Sequence, residues 1–259
     1  ALVMDWHGPE IVGDNQAELN FRILLDQAIA YNLSAAVSVY LDDLASKDAE
    51  DVQTALTILK DRHTSHPAYL RVDDRPVLFF VGTEHYPLTT WHAIRNQVDP
   101  ERAMIWITEE TQLAYLEVFE GLYLSSLAQR TRQYYDPVLI SRQWGNKVRD
   151  WAGQHEVFRY WVATVMPGYD NSALEDEEIL IQVREDGDYY RSTWDAAMQS
   201  DADWVIIASF NRWLEGSQIE PSVTYGDLYL DLTAEQGAIY RRLSFEVPTS
   251  TPEPTITPV

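Results

Sequence analysis

The sequence predicts an α/β fold with a parallel sheet, and within that class a (β/α)8 barrel of the TIM type ahead of a doubly wound sheet. Three observations carry the prediction. Seven apolar runs of strand length alternate with stretches of helical periodicity. Nearly every run ends abruptly in a carboxylate, an aromatic ring or both, as expected where parallel strands deliver a ligand site at their carboxyl ends. No GxGxxG, and no GxxxxGK followed by Ser or Thr, comes after any of them, which counts against dinucleotide and P-loop sites. A closed barrel of this type has eight strands. Seven, with one at the extreme N-terminus, imply that one βα unit is missing from this chain.

The first run, Leu2 to Trp6, stops at the turn signal His7-Gly8-Pro9. From Asn15 to Tyr31, Leu19, Ile23, Leu24, Ala28 and Ile29 recur at helical spacing. Ala35 to Leu41 is the second strand and runs into Asp42-Asp43. Asp51 to His63 is an amphipathic helix with Val52, Ala55, Leu56 and Leu59 on one face. Pro76 to Gly82 is a buried strand ending on Thr83, Glu84 and His85, followed by helix signals from Thr90 to Val98. Ala103 to Thr108 ends on Glu109-Glu110, and Gly121 to Ser126 is a short strand. A longer helix spans Val138 to Gln154. Phe158 to Met166 is a strand ending in Pro167-Gly168-Tyr169-Asp170-Asn171. The acidic loop Glu175 to Glu178 and a turn at Asp186-Gly187 lead to a helix from Tyr190 to Gln199. Trp204 to Phe210 is the seventh strand. Thr233 to Leu243 closes the folded part as a helix.

One folded domain over residues 1–246 is expected from the length, with an apolar fraction of 46% well clear of a disordered composition. The tail Val247 to Val259, rich in Pro and Thr, reads as a linker or stalk. Such a tail favours export to the cell surface or medium and further domains on the same polypeptide. Ala1 stands directly before an apolar run, which reads as a mature or trimmed start.

Against 41 Asp plus Glu there are 19 Lys plus Arg, a formal charge of −22. Nucleic acid and anionic membrane surfaces are therefore poor partners, since both demand cationic patches. A neutral or cationic ligand is compatible, and so is plain solubility. The absence of cysteine removes disulfides, thiol catalysis and Cys-ligated metals. No run of about 18 apolar residues spans a membrane. His7, His66 and His85 do not stand at ligand spacing, so neither a metal nor a cofactor is expected. No GxSxG elbow supplies a serine nucleophile. Nine Trp and fifteen Tyr, several beside strand ends, suit stacking on sugar rings as well as core packing.

The densest polar and aromatic set follows the seventh strand: Phe210 to Ser222, FNRWLEGSQIEPS. It resembles the FNEWHEGTQIEPS type of motif of glycoside hydrolase family 99 and its bacterial relatives, the endo-α-mannosidase-like proteins. His66 to Arg71 with Asp74 to Val77, Phe119 to Tyr123 (the family's FDGxY) and Val165 to Asp170 (its VxPGYD) resemble further segments, as do Tyr189-Tyr190 with Trp194. The resemblance runs from about Leu2 to Leu232. It implies a (β/α)8 barrel acting on or binding α-mannoside-type glycans, with the family's first βα unit the absent one. It also implies Glu215 as general acid/base, and Asn211, Arg212, Trp213, Tyr123, Tyr169, Asp170 and Glu84 as substrate-facing residues.

The departures from the family pattern bear on activity. Of the two catalytic carboxylates of the NEWHEG motif, one assists the sugar 2-hydroxyl in forming an anhydro-sugar and the other is the general acid/base. Only the second is present, as Glu215; Arg212 stands at the first position and Leu214 replaces the histidine. A guanidinium stays protonated at neutral pH and cannot act as a base. Three readings stand open. Another strand-end carboxylate (Asp5, Asp42, Asp43, Glu84, Glu109, Glu110 or Asp170) replaces the lost one; or Arg212 pairs with Glu215 and leaves a barrel that binds glycans without cleaving them; or the domain is structural within a larger exported assembly. Glu220 with Pro221 is expected to shape the loop.

Overall fold

The computed structural model describes residues 1–10, 16–41, 48–125, 136–174 and 179–245. Asp42, Asp43, the acidic loop at 175–178 and the tail at 247–259 lie outside the described residues. The chain forms two compact units, one of residues 1–125, 143–164 and 202–206 and one of residues 126–142, 165–201 and 207–259.

The first unit is organised by a parallel ladder. Its strands are β1 (Leu2–Trp6), β2 (Ala35–Tyr40), β4 (Arg75–Val81), β5 (Ile105–Glu109), β6 (Gly121–Tyr123), β7 (Tyr160–Val165) and β10 (Trp204–Ile207), paired in that order. Neighbours are parallel throughout the recorded registers, Leu2 with Ala35, Val37 with Leu78, Phe79 with Ile107, Thr108 with Leu122, and Tyr123 with Val162. Helices α1 (Ala17–Ala30), α2 (Ala49–His63), α3 (Leu88–Val98) and α4 (Pro137–Gln154) are interleaved with the strands. Strands that follow one another in sequence, all parallel and linked through helices, have the order of a (β/α)8 barrel, with seven strands on this path among the described residues.

Side-chain alternation explains why this sheet is buried on both faces. Trp6, Val37, Val39, Leu78, Phe80 and Trp106 point to the helices and join Phe21, Leu25, Leu56, Leu59 and Trp91 in one cluster. Their alternates Ala36, Val77, Phe79, Ile105, Ile107, Tyr123 and Val162 form a separate cluster on the opposite face. The strands at the two ends of the ladder are only part-buried: Leu2 to Asp5 and Trp204 to Ile207 are intermediate, whereas the residues of β2, β4 and β5 are mostly fully buried.

Helix boundaries follow their caps. Asp48 accepts from Glu50 N and Asp51 N, so α2 begins at Ala49, two residues ahead of the expectation from periodicity. Asp136 accepts from Val138 N beside Pro137 at the first helical position, a favoured start for α4. A short strand β3 (Arg71–Val72) folds back on β4 through Asp73-Asp74, both left-handed with φ 49° and 60°, the backbone of a type I′ hairpin.

Two buried ionic groups tie this unit together. Arg95 donates through Nη1 and Nη2 to the two carboxylate oxygens of Glu120 at 3.1 Å each, lies 3.0 Å from Asp99, and stacks 4.2 Å from the Trp106 ring centroid. Glu120 also accepts from Trp106 N and Arg102 Nη1. Gly121 follows because β6 touches β7 there: a Cβ would sit 2.6 Å from Tyr160 O. The Phe119-Glu120-Gly121-Tyr123 pattern is thus largely a packing signature. The second group is Glu18, 2% exposed, which accepts from Trp6 Nε1, from Arg62 and from His63. Burial alone would raise its carboxyl; the hydrogen bonds from Trp6 and His63, the His63 charge and the Arg62 bond outweigh burial and hold it below the ordinary glutamate value.

The second unit holds the hairpin of β8 (Tyr169–Asp170) and β9 (Ile181–Gln182), which sequence patterning does not reveal, and the paired helices α5 (Asp188–Gln199) and α6 (Leu228–Phe245). Tyr190 bonds Thr233 at 2.9 Å, and Tyr190 and Trp194 meet the rings of Tyr229 and Tyr240. Helix α6 starts five residues before the expected Thr233 because Tyr229 and Leu232 are already buried in this seam.

Two outcomes are expected. Arg95→Met leaves Glu120 charged and buried without its main partner, so it should cost about 3–5 kcal/mol in a denaturant titration. Glu18 has a depressed folded value, so its contribution is present above the ordinary glutamate range of about 4.3 and is lost as pH falls through the folded value. Glu18→Gln should therefore flatten the loss of stability below about pH 4.3, read as melting temperature against pH.

Candidate functional site

Strand β10 is shorter than the apolar run predicts: it ends at Ile207, and Ala208 to Phe210 already belong to the loop that follows. The reason is hydrogen bonding. Ser209 N donates to Ser217 O at 2.9 Å, Ile219 N to Ser209 O at 3.0 Å and Glu220 N to Phe210 O at 2.9 Å, so the chain closes on itself. Ser209 Oγ meets Ser217 Oγ at 2.9 Å and accepts from Arg212 N at 3.0 Å. Trp213 Nε1 donates to Glu220 Oε2 at 2.8 Å, so Glu220 braces the far side of the loop. The residues from Asn211 to Glu215 are thereby presented outward. Asn211, Trp213 and Leu214 are exposed, and Glu215 is part-exposed.

At the centre, Arg212 Nη1 donates to Glu215 Oε1 at 3.1 Å. The contact is single rather than bidentate, and the side chains retain 37% and 28% of their exposure. A pair this open is worth little to stability, about 0–1 kcal/mol. Chemically it matters more: a permanent cation occupies one oxygen of the only carboxylate in the Asn211–Glu215 stretch.

The Pro167 to Asp170 turn is bonded to this loop. Asp170 N donates to Glu215 O at 2.8 Å. Gly216 has φ +56°, and a Cβ there would meet Asp170 Cβ, N and O at 3.1–3.2 Å, so this close approach of turn and loop requires glycine. Asp170 is exposed, and hydrogen bonds from Ser172 side chain and backbone hold its carboxyl below the ordinary value. Tyr169 is 8% exposed and lies in the hairpin, packed rather than presented.

Among the first unit's strand ends, Tyr123 is 5% exposed and crosses the inner face of the sheet, its ring 6.1 Å from that of Phe79. Burial first, then the charge of Glu109, raises its phenol well above the ordinary value. Glu109 accepts from Ser125 Oγ. Glu110 is spent on structure, its Oε1 accepting from Thr111 N and Gln112 N. Glu84 is exposed in the 3-10 turn Thr83–His85 after β4. The structure thus gathers Asn211, Arg212, Trp213, Glu215 and Asp170 around one loop. Tyr123 and Glu84 belong to the other unit.

Sequence reasoning missed Arg184 and Ser209, which no local pattern distinguishes; Ser217 and Gln218 lie within the motif FNRWLEGSQIEPS, and the structure shows that they hold the loop from within. Among the described residues no group of three or more His, Asp or Glu is placed to hold a metal ion, and no helix is long and apolar enough to cross a membrane.

Comparison with known proteins gives a consistent picture. The sequence profile of glycosyl hydrolase family 99 matches residues 1–246. A glycoprotein endo-alpha-1,2-mannosidase of Rattus norvegicus is 22% identical over 271 residues, covering 94% of this chain and 55% of the relative. A glycoprotein endo-alpha-1,2-mannosidase-like protein of Homo sapiens is 25% identical over 265 residues, covering 94% and 56%. The chain therefore spans about half the length of the curated relatives it matches. In three dimensions, the GH99 endo-alpha-mannosidase from Bacteroides thetaiotaomicron superposes with a TM-score of 0.74 at 21% identity, over 94% of this chain and 76% of that one. The shared fold is the barrel type expected from the strand pattern.

Gly216→Ala should force the loop off Asp170 at a cost of about 1–2 kcal/mol, the penalty of a left-handed non-glycine residue. The check is faster amide exchange at residues 209–220, with the α5 and α6 amides unchanged.

Proposed function

The chain belongs to glycosyl hydrolase family 99, and on that premise we propose that it recognises α-mannoside-type glycans through the Asn211–Glu215 loop while Arg212 suppresses their hydrolysis. The observation that carries this reading is the Arg212–Glu215 contact at 3.1 Å. Hydrolysis of a glycoside with retention needs a proton donor at the leaving oxygen and a second group acting at the anomeric side of the ring. Glu215 is open enough to reach a leaving oxygen. At the companion position, however, stands a cation that cannot take a proton from a sugar hydroxyl and that competes for the Glu215 carboxylate.

The same side chains suit binding. Arg212 and Asn211 donate to sugar hydroxyls, Glu215 and Asp170 accept from them, and the half-exposed Trp213 offers a flat apolar face for a pyranose ring. A neutral glycan also avoids the repulsion that an anionic ligand would meet on a chain of formal charge −22. The tail composition favours an exported protein that presents this site outside the cell.

One observation favours a second, enzymatic reading. Asp170 is bonded through its backbone to Glu215, is exposed, and has its carboxyl lowered below the ordinary value by the Ser172 hydrogen bonds, so among the described residues of this unit it is the carboxylate we place in the role of the lost one. Variants separate the two. If Arg212 is the block, Arg212→Glu should raise release of reducing ends from an α-1,2-mannan at least tenfold over the parent, and Glu215→Gln in that background should abolish it. Asp170→Asn, which removes only an acceptor for a sugar hydroxyl, should lower it less than tenfold. Parent turnover that falls a hundredfold on Asp170→Asn would instead establish Asp170 as the working base. Turnover indifferent to Glu215→Gln would remove Glu215 from the chemistry altogether.

A further inference from the structure

We infer that Arg184 is the positioning residue of the Glu215 loop, fixing the backbone from which Glu215 and Arg212 project. Its consequence for ligand binding rests on the glycan-directed reading above; its geometry does not. Arg184 is 9% exposed and lies 32 residues before Gly216. One terminal nitrogen, Nη2, donates to Gly216 O at 2.8 Å, to Gln218 O at 2.9 Å and to the Gln218 side-chain oxygen at 3.0 Å. The guanidinium carbon lies 4.7 Å from the Tyr225 ring centroid and 4.5 Å from that of Tyr229, so two aromatic rings hold the fork in place.

The stem of the same side chain supports the neighbouring turn. A Cβ at Gly168, where φ is +156°, would lie 2.5 Å from Arg184 Cγ. Arg184 is therefore packed against the Pro167–Asp170 turn by its stem and bonded to the loop by its head. The turn and the loop are in turn joined by Asp170 N to Glu215 O. The Glu215 peptide is held on one side by that bond and on the other by the Arg184 grip on Gly216. Side chains on a loop reach a ligand reproducibly only when such supporting contacts lock the backbone. Arginine suits the task because its flat guanidinium can lie against aromatic rings while Nη2 faces the Gly216 and Gln218 carbonyls; lysine would keep the charge but lose that flat stacking surface.

The test compares the parent chain with Arg184→Met, Arg184→Lys and Gly168→Ala, by amide hydrogen exchange and by calorimetric titration with an α-1,2-linked mannose oligosaccharide. Arg184→Met should speed exchange at 209–220 at least tenfold while α5 and α6 keep their protection, and weaken the oligosaccharide about tenfold or more. Arg184→Lys should recover part of both effects. Gly168→Ala, whose Cβ would meet the Arg184 stem and Gln182 O but not the fork, should loosen the same loop together with the Tyr169–Gln182 hairpin and covers the case in which Arg184→Met fails to fold. Unchanged exchange at 209–220 in Arg184→Met, or faster exchange spread equally over α5 and α6, would overturn the inference. If the parent binds no α-mannoside, the glycan reading fails, and the exchange pattern alone still decides the role of Arg184.

Discussion

A parallel strand has helices or other strands against both faces, so every residue along it must be acceptable to a dry environment, and this constraint shapes the whole chain. It explains why β2, β4 and β5 are predominantly apolar, with only the small polar side chains of Ser38 and Thr108 buried within them, and why their alternate residues divide into two clusters on opposite faces. It also explains why polar residues concentrate where strands end. With the strand bodies closed to polar chemistry, the carboxylates, amides and exposed rings can only follow them. The loop after β10 is the richest of these places in the second unit.

Burying a charge is costly unless it is paired or hydrogen-bonded, and three buried ionic centres among the described residues show three uses of that rule. Glu120 is held by two arginines and a backbone N–H and staples β5, β6 and α3. Glu18, held by His63, Trp6 and Arg62, joins α1 to α2 and β1 and introduces a sensitivity to acid. Arg184 satisfies carbonyls of an irregular loop that has no ladder partner of its own. By contrast, the Arg212–Glu215 pair is part-exposed and joined by one hydrogen bond, which contributes little to stability.

The fold was legible because apolar runs and helical periodicity survive translation into parallel strands and helices with only small shifts at caps such as Asp48 and Asp136. The family motif FNRWLEGSQIEPS located the loop, and pairing of its arginine with Glu215 is one of the three readings the sequence leaves open; the structure contains that contact. What stayed hidden depends on partners distant in sequence. Nothing near Arg184 announces bonds to residues 32 and 34 positions later. Tyr169 and Tyr123 looked like strand-end aromatics open to a ligand, yet both are buried, because a ring at that position packs inward as readily as outward. The Asp73-Asp74 hairpin turn escaped because two aspartates rarely supply both left-handed positions.

The central claim is that the Glu215 loop recognises an α-mannoside and that Arg212 keeps recognition from becoming cleavage. It is tested most directly on the unaltered chain, by titrating an α-1,2-linked mannose oligosaccharide in a calorimeter and assaying the same sample for new reducing ends. Saturable binding with no release at rates ordinary for enzymes, about 1 per second or more, is the predicted result. Turnover at such rates, or no heat of binding at millimolar oligosaccharide, would contradict it.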